Sequence, residues 1–346
     1  MCLPPCSAQK KSFYATLQNT SSLDLRDNRG KRHELSLILV GLTLALLSKR
    51  DGNLSSIHRH MKNHYAKLCH FSGILPRKVV SRSQLPLVLA QVDVIVLEGL
   101  IFDFCGIRLG ADEKKWFSVD GKELRGSIQK GDKRGEAIVE VVSHGDGQIN
   151  GQSFYSGKKE SEQPAVRDLL AGRGFLGQKI SADALHFVPA TLNLIHSSNG
   201  VYLVGLKENQ AEMLEEMMGV LKRRKTDYQQ VTVEKGHGRI EKRVYQSIDV
   251  RGEYFDPRWK KSGLSTLIKI ERSRTDTKTM QVTQETAFYM SNELPINQKQ
   301  AEALFAAVRN HWTVETTNHI RDVSLKEDLM RTKKTMFQKQ PLPLEH

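Results

Sequence analysis

The sequence predicts an α/β fold: a mixed five-stranded sheet with flanking helices, preceded by a helical N-terminal domain and interrupted by a mainly β insertion. Residues 24–110 contain long apolar stretches of helical character. From Trp116 onward the apolar pattern changes to the shorter period of strands. At 346 residues the chain is too long for one small domain, so we expect a core with appendages.

The N-terminal part predicts helices after an irregular start. Residues 1–22 are polar and lack periodicity, so a loose arm is expected there. Helices are predicted over Leu35–Leu47 and Gln84–Phe104. The segment SIHRHMKNHY between them has no carboxylate or Cys at ligand spacing, which favours a solvated basic face over a metal site. Neither helix predicts a membrane span, because the first is too short and the second carries acidic residues.

The central region predicts three successive antiparallel strands followed by alternating helices and strands. The first strand is expected to stop at Gly121. The predicted strands are Trp116–Val119, Ala137–Val142, Gln148–Phe154, Gln178–Asp183 and Val201–Leu206, and the helices are Gln163–Leu170, Val188–His196 and Gln210–Leu221.

An insertion is predicted before the final helix. Asp183 and Glu315 are separated by 315 minus 183, or 132 positions, which is more than one strand and one helix need. Alternating β-branched and charged residues predict that this insertion is mainly strands. The segments with this pattern are Tyr228–Val250, Ser265–Arg272 and Glu285–Met290.

Three acidic residues stand in distinctive neighbourhoods: Asp120 in WFSVDGKELRGS, Asp183 in KISADALHF and Glu315 in HWTVETTNHIRD. The two aspartates each follow a predicted strand, and adjacent strands would bring them together. Carboxylates are the ligands that magnesium prefers, and phosphodiester cleavage uses two such ions about 3.5 to 4 Å apart. Taken singly, Asp120 is more typical of a turn and Asp183 of a helix N-cap, and only the combination with Glu315 favours a metal site.

Glu315 is predicted to share one helix face with three other polar residues, His311, His319 and Asp322. Imidazoles and a carboxylate one turn apart are also typical of a zinc site, which remains the second interpretation.

Positive charge surrounds these motifs. The chain has 52 Lys and Arg against 39 Asp and Glu, a net charge of +13 that favours a nucleic-acid partner, DNA or RNA. Lys122 and Arg125 flank Asp120 and suit a polyanionic ligand. The hairpin GHGRIEKR places several donors near a turn and predicts phosphate contacts, although a solvated face explains it equally well. These donors are His237, Arg239, Lys242 and Arg243.

Several motifs in a fixed order make the chain resemble the H-repeat-associated insertion-sequence transposases, a branch of the DDE superfamily with a ribonuclease H-like catalytic domain. The resemblance covers roughly residues 24–330. It rests on DNRGKRHELSLILVGLTLALLS, DGKELRGS, EVVSHGDGQINGQ, SADALH, YLVGLKENQ, GHGRIEKRVY and HWTVE with a distal KED. Thr316 and Ile320 depart from the family pattern, which usually has Asn and Trp there.

The resemblance implies a function and a set of residue roles. Asp120, Asp183 and Glu315 would chelate two Mg²⁺ or Mn²⁺ ions, and Lys207 and Asn209 match the family's K.NQ motif. The enzyme would cut double-stranded DNA at the transposon terminal repeats and join the 3′ hydroxyl to target DNA, acting as a homodimer. His319 would orient a carboxylate or water, and Asp322 would be an accessory acid or a salt-bridge partner. The alternatives are an inactive relic or repurposed DNA-binding protein, and a stand-alone metal-dependent nuclease.

The expected layout follows from the elements and the resemblance together. It comprises a flexible arm (1–22), a helical DNA-binding region (23–112), the first part of the ribonuclease H-like core (113–225), a mainly β insertion (226–295), the final core helix (296–330) and an irregular tail (331–346), expected to be truncated. The four cysteines show no CxxC spacing and predict free thiols. With no secretion signal apparent, a cytoplasmic, nucleoid-associated prokaryotic protein is expected.

Overall fold

The computed structural model describes residues 12–48, 53–107, 114–128, 130–131, 133–155, 159–324 and 327. They fall into two units. The first comprises the described residues of Met1–Arg108, Leu124–Lys133 and His319–His346, and the second those of Leu109–Glu123 and Arg134–Asn318. The predicted irregular tail lies outside the described residues.

The first unit is helical, as the sequence predicts. Its helices are α1 Phe13–Gln18, α2 Leu35–Ser48, α3 Leu54–Phe71, α4 Leu85–Leu89 and α5 Val94–Cys105. Leu17 of α1 and Leu23 are buried in one apolar cluster with Leu35 and Leu39 of α2. From residue 12 onward, the segment expected as a loose arm therefore contributes to the core.

The prediction of a single helix over Gln84–Phe104 is wrong, because the structure has two helices there, α4 and α5, separated by a short non-helical segment. Asp93 adopts an extended conformation and caps α5. Its carboxylate accepts hydrogen bonds from the backbone N–H groups of Ile95 and Val96, both at 3.0 Å. Such a cap satisfies donors that have no partner within the helix, so Asp93 starts a new helix.

The second unit is built on one mixed sheet, in which the described residues contribute nine strands in the order β3-β2-β1-β4-β5-β9-β8-β7-β6. Strand β1 is parallel to β4, and β4 is parallel to β5, while the other neighbours are antiparallel. The strands are β1 Trp116–Glu123, β2 Ala137–Ser143, β3 Ile149–Tyr155, β4 Lys179–Ala182, β5 Val201–Leu206, β6 Tyr228–Gly236, β7 Arg239–Asp249, β8 Thr266–Asp276 and β9 Val282–Ser291.

The prediction of a five-stranded sheet is therefore wrong in its size, although the mixed α/β class is confirmed. The predicted β insertion does not form a separate sheet. Its last strand, β9, pairs antiparallel with β5, with Leu203 opposite Ser291 and Leu206 opposite Phe288. This pairing satisfies the edge of β5 and extends the sheet continuously to β6.

Helices cover both faces of the sheet. They are α6 Lys159–Gly172, α7 Pro189–Ser197, α8 Ala211–Arg223, α9 Gln298–Asn310 and α10 Trp312–Val323, the last of which crosses the boundary between the units. Phe117 and Val119 of β1 belong to the apolar cluster that includes residues of α6, α7 and α8. Because side chains alternate along a strand, Ser118 and Asp120 point to the opposite face. On that face, Leu304 and Phe305 of α9 pack with Leu203 and Ile268.

The expectation that β1 stops at Gly121 is wrong. Gly121 pairs with Val139, and the strand continues to Glu123. A Cβ atom at Gly121 would lie 2.5 Å from the carboxyl carbon of Glu162. The close approach of Glu162 on α6, rather than a turn, thus explains why position 121 is a glycine.

Among the helices of the described residues, none combines the length and the apolar character that a bilayer-spanning segment needs.

Candidate active site

The structure brings Asp120 and Asp183 to neighbouring strands. In the parallel pair of β1 and β4, Val119 is opposite Ala182; Asp120 is the next residue of β1, and Asp183 directly follows the end of β4. Asp183 also forms the N-cap predicted as its alternative role, since one of its oxygens accepts a 3.0 Å hydrogen bond from the N–H of Leu185. Half of its side-chain surface remains exposed. The capping role therefore orients this carboxylate without enclosing it.

Glu315 lies in the first turn of α10 and is exposed. The prediction that His311 shares this helix is wrong, because α9 ends at Asn310, His311 caps it, and α10 begins at Trp312. The hydroxyl of Ser118 on β1 donates to the carbonyl of His311 at 3.2 Å. This bond fixes the junction between the helices next to β1, one turn before Glu315.

The charges of the three predicted carboxylates act on one another. Burial raises the pKa of Asp120 to about 7, and Asp183 is the next largest cause, with smaller contributions from Glu162 and Glu315. The side-chain amide of Asn318, on α10, donates to Asp120 at 3.5 Å. The site thus holds several carboxylates whose mutual repulsion penalises ionisation.

Two predicted accessory residues lie on strand ends around this cluster. Lys207 directly follows β5, and its charge lowers the pKa of Glu315, against the larger rise that burial causes. Lys122 is buried on β1, two residues after Asp120. The amide of Asn209 donates to the carbonyl of Ala184 at 2.6 Å, so it supports the turn that Asp183 caps.

The other predicted accessory residues belong to the first unit. Arg125 is exposed in a 3-10 turn, Arg125–Ser127. His319 and Asp322 lie in the last two turns of α10, where His319 is exposed and Asp322 is partly buried. Their roles remain predictions from the sequence.

A buried hydrogen-bond network lies beneath the carboxylates. The Ser181 hydroxyl lies 2.8 Å from Nε2 of His144 and 3.0 Å from Nδ1 of His311, and it donates to the Ser118 hydroxyl at 3.2 Å. Burial lowers the pKa of His144 to about 3 and that of His311 to about 4. Both imidazoles are therefore neutral at physiological pH, and the network ties β1, β4 and the α9–α10 junction together.

A further carboxylate, Glu162 of α6, approaches from the other face of β1. It lies against Gly121, and one of its oxygens accepts a 2.9 Å hydrogen bond from the Tyr155 hydroxyl. The other oxygen lies 3.3 Å from Nε2 of His186, which is itself 3.9 Å from Oδ1 of Asp183. Glu162 thus lies against Gly121, the residue that follows Asp120, and shares the neighbouring His186 ring with Asp183.

The carboxylate oxygens of this cluster are the type of ligand that a hard divalent cation prefers, although the side chains are not arranged around a common metal position. Among the described residues, no group of three or more His, Cys, Asp or Glu is arranged to hold a metal ion. The raised pKa of Asp120 reflects first its burial and then the neighbouring charge of Asp183. Oxygen ligands match magnesium, and a cation would offset this repulsion. The zinc interpretation gains no support, because His311 lies outside the helix of Glu315 and the described residues contain no such ligand group.

The predicted phosphate-binding hairpin connects β6 and β7. His237 and Gly238 form its turn with φ of 50° and 74°. His237, Arg239 and Lys242 are exposed. Arg243 is buried, and its guanidinium forms ion pairs with Glu234 at 3.0 Å and Glu241 at 2.8 Å. Three of the four predicted residues are therefore accessible to a ligand, while Arg243 is committed to the fold.

Sequence reasoning missed the residues that surround the carboxylates: Glu162, His186, His144 and Ser181. Three of them lie inside motifs that the sequence analysis used, SADALH and EVVSHGDGQINGQ. Little in the sequence indicated a role for Glu162, because it lies in a charged stretch and because Gly121, against which it packs, resembled a turn residue.

Comparison with known proteins gives relatives of modest similarity, and no protein-family model matches the chain. "Putative protein YbfL" of Escherichia coli K12 is 29% identical over 226 residues, 63% of this chain and 58% of that protein. "H repeat-associated putative transposase YhhI" of the same strain is 28% identical over 226 residues, again 63% and 58%. The chain thus spans under two thirds of the length of these two relatives. "Putative transposase YncI" of Escherichia coli O157:H7 is 24% identical over 324 residues, 90% of this chain and 80% of that protein.

Proposed function

We propose that this chain is a DNA transposase that uses Asp120, Asp183 and Glu315 to cut the ends of a mobile element and join them to target DNA. The observation that carries the proposal is the parallel pairing of β1 with β4, which sets the two aspartates side by side. Glu315, on α10, interacts electrostatically with Asp120, since its charge contributes to the raised pKa of Asp120.

The order of the first five strands supports this chemistry. Strands β3, β2, β1, β4 and β5 are adjacent in that order; β1, β4 and β5 are parallel, and β2 is antiparallel to both of its neighbours, β1 and β3. A ribonuclease H-like core has this succession, and we propose that the chain contains one, extended by β6 to β9.

The carboxylates would hold two magnesium or manganese ions. When bound, such ions activate the attacking oxygen and stabilise the leaving oxygen. Lys207 would neutralise charge on the phosphate, since it already acts on Glu315 from the end of β5. Lys122 would add positive charge beside the same phosphate, and Arg125 would offer DNA a further exposed cation.

Asn209 would keep Asp183 in place through its bond to the Ala184 carbonyl. His319 would orient a water or carboxylate, and Asp322 would act as an accessory acid or ion-pair partner further along α10.

In the proposed reaction, water attacks the phosphorus at the element end and the bond from phosphorus to the 3′ oxygen breaks, which releases a 3′ hydroxyl and leaves a 5′ phosphate. That 3′ hydroxyl then attacks a phosphorus of the target strand, forms a new phosphodiester and displaces a target 3′ hydroxyl. Each step exchanges one bond to phosphorus for another, so no oxidant or covalent enzyme intermediate is needed.

Two further observations support a DNA partner. The names of two relatives, YhhI and YncI, describe transposases. The net charge of +13 suits phosphate binding, and His237, Arg239 and Lys242 offer an exposed basic hairpin. We propose that two copies pair two element ends, as transposition requires both.

Cleavage of a labelled duplex that carries the terminal repeats flanking the encoding element tests the proposal. Asp120→Asn, Asp183→Asn and Glu315→Gln should each abolish cutting in Mg²⁺ or Mn²⁺. Asp168→Asn is the matched control, because Asp168 is an exposed acid on α6 outside the cluster. It should cut at the wild-type rate.

The same assay separates the alternatives. Equal cutting of a duplex without repeats indicates a stand-alone nuclease. A folded wild type that binds the repeats and never cuts indicates a relic or a repurposed DNA-binding protein. Cutting that persists in all three variants refutes the role of the carboxylates.

A further inference from the structure

A group of arginines lies on the sheet face that α9 covers, beyond the apolar contacts of that helix. Tyr245 of β7 and Ile270 of β8 belong to the apolar cluster of α9, and side chains alternate along a strand, so every second residue beyond them lies on the same face. Arg309, in the last turn of α9, reaches this face through a 3.3 Å ion pair with Glu234. We call this group the arginine cluster: Arg239, Arg243, Arg272, Arg274 and Arg309.

A buried carboxylate, that of Glu241 on β7, lies at the centre of the arginine cluster. Glu241 is 6% exposed. Its ion pairs are with Arg243 at 2.8 Å, Arg274 at 3.4 Å, Arg272 at 3.5 Å and Arg239 at 3.9 Å. Burial acts to raise the pKa of Glu241, but the charges of the arginines around it lower that pKa below its usual value. One ionised carboxylate therefore fixes the direction of several guanidiniums.

Positive charge exceeds negative charge in this network. Among the described residues, the five arginines are ion-paired with three glutamates, Glu234, Glu241 and Glu285. Asp276 lies opposite Arg239, but its carboxylate accepts a 2.8 Å hydrogen bond from the N–H of Thr279 in the turn after β8. The side chains of Arg239, Arg274 and Arg309 are 49%, 35% and 45% exposed. Three guanidiniums thus combine a fixed direction with access to an anion.

The arginine cluster lies at the same end of the sheet as the carboxylates. Strands β1, β4 and β5 are parallel, so their carboxyl ends meet at one edge. Strand β9 runs antiparallel to β5, with Phe288 opposite Leu206, the last residue of β5. The residues of β9 before Phe288 therefore extend beyond that edge, and Arg272 of β8 pairs with one of them, Glu285. The cluster is thus on the face, and at the end of the sheet, to which Asp120 points.

Tyr289 of β9 links the two regions electrostatically. Burial raises the pKa of Tyr289, the charge of Arg272 opposes this rise, and the charge of Glu315 adds to it. Glu315 and the arginine cluster therefore act on the same partly buried ring. A DNA strand that reached Glu315 would lie beside arginines, whose planar guanidiniums match the geometry of phosphate oxygens.

We infer, on the basis of the proposed function, that the arginine cluster holds the phosphate backbone of duplex DNA beside the carboxylates. Arg239, Arg274 and Arg309 contact phosphate oxygens, and Glu241 keeps the guanidiniums directed to that face. Contacts of this kind position a duplex and carry no sequence information, so the cluster serves the element ends and the target DNA alike.

The test is binding of two labelled duplexes to the full-length protein over a range of salt concentrations, with a chelator present to prevent cutting. One duplex carries the terminal repeats that flank the encoding element, and the other has an unrelated sequence. Arg274→Gln should reduce the slope of log K against log salt by about 0.9 on both duplexes, which corresponds to about eightfold weaker binding at about 0.1 M salt. Arg239→Gln combined with Arg274→Gln should reduce the slope by about 1.8.

The chain offers a matched control at the other end of β7. Arg251 is 60% exposed, forms an ion pair with Asp249 and follows the end of that strand, so Arg251→Gln should bind both duplexes as the wild type does. Arg274→Lys keeps the positive charge and should keep the slope. If Arg274→Gln does not fold, Arg309→Gln carries the same test, because Arg309 is exposed on a different element.

An unchanged slope in folded Arg274→Gln and Arg309→Gln overturns the inference, as does an equal loss in Arg251→Gln. A loss confined to the repeat duplex also overturns it, because contacts with bases and not with phosphates would then be responsible. If the three carboxylate variants lose cutting while the arginine variants bind as the wild type does, the inference fails and the proposed function stands. If the wild type binds neither duplex, both fail.

Discussion

Replacing Asp120 with Asn measures the cost of keeping a charged carboxylate in the cluster of the metal-free protein. Burial, and then the charge of Asp183, raise its pKa from 3.8 to about 7. Below about pH 4 the group is protonated in both the folded and the unfolded chain. As pH rises from there to 7, the folded protein keeps a proton that the unfolded chain has released, so stability falls. Above pH 7 the loss is complete.

The size of the effect follows from the same values. A rise from 3.8 to about 7 corresponds to about 4 kcal/mol at about 1.4 kcal/mol for each pH unit. About 3 kcal/mol of this falls between pH 5 and pH 7, and sharing of the proton with neighbouring acids would reduce it. Asn resembles the protonated acid in shape and does not titrate. Asp120→Asn should therefore gain about 2 to 3 kcal/mol over wild type between pH 5 and pH 8.5.

Urea unfolding with a chelator present, at pH 5 and pH 8.5, checks this difference. Asp168→Asn is the control and should change in parallel with the wild type, because Asp168 is exposed. Added Mg²⁺ should stabilise the wild type at pH 8.5, by about 2.7 kcal/mol at a hundredfold excess over Kd, and leave Asp120→Asn unchanged. Parallel pH curves for wild type and Asp120→Asn would refute the claim that the cluster destabilises the metal-free fold.

Three other substitutions have definite expected outcomes. Gly121→Ala forces a Cβ into the Glu162 carboxylate and should lower the free energy of unfolding by about 1 to 3 kcal/mol, as measured by urea denaturation. Ser181→Ala leaves two buried imidazoles without their shared partner and should cost about 1 to 3 kcal/mol in the same assay, while an unchanged midpoint would contradict the network. Lys242→Ala should leave stability within about 0.5 kcal/mol and reduce the salt dependence of DNA binding, whereas Arg243→Ala should cost about 1 to 3 kcal/mol of stability, because it removes a buried side chain and its two ion pairs. Similar stability losses for both would refute the distinction.

Local patterns predicted most of the secondary structure, because short-range periodicity determines which segments form strands and helices. The strand predicted over Val201–Leu206 has those bounds in the structure, and the helix predicted over Leu35–Leu47 ends one residue later. The size of the sheet could not be predicted in this way. Pairing of β9 with β5 joins residues as distant as Leu203 and Ser291. Alternation along a strand indicates which face is buried and not which strand lies beside it.

The same limit applies to the site. The motifs placed Asp120 and Asp183 correctly at neighbouring strands, since both follow apolar strand residues. Arg243 was predicted to face solvent because it lies in a run of charges. Its burial depends on Glu234, diagonally across on β6, and on Glu241, two residues away on the same face. A charged strand residue is identified as an internal ion-pair partner only when the neighbouring strands are known.

The pairing of β9 with β5 has a consequence for how the protein is made. As the chain leaves the ribosome, Asp120 and Asp183 can meet once β4 pairs with β1, while Glu315 follows β9 in the sequence. The hairpins of β6 to β9 must therefore emerge before the third acid does, and the long-range closure of β9 onto β5 is an intrinsically slow type of step. A nascent chain interrupted between Asp183 and α9 would carry two of the three acids and no α10. Synthesis order would in this way delay assembly of the three acids until translation of the described region is almost finished.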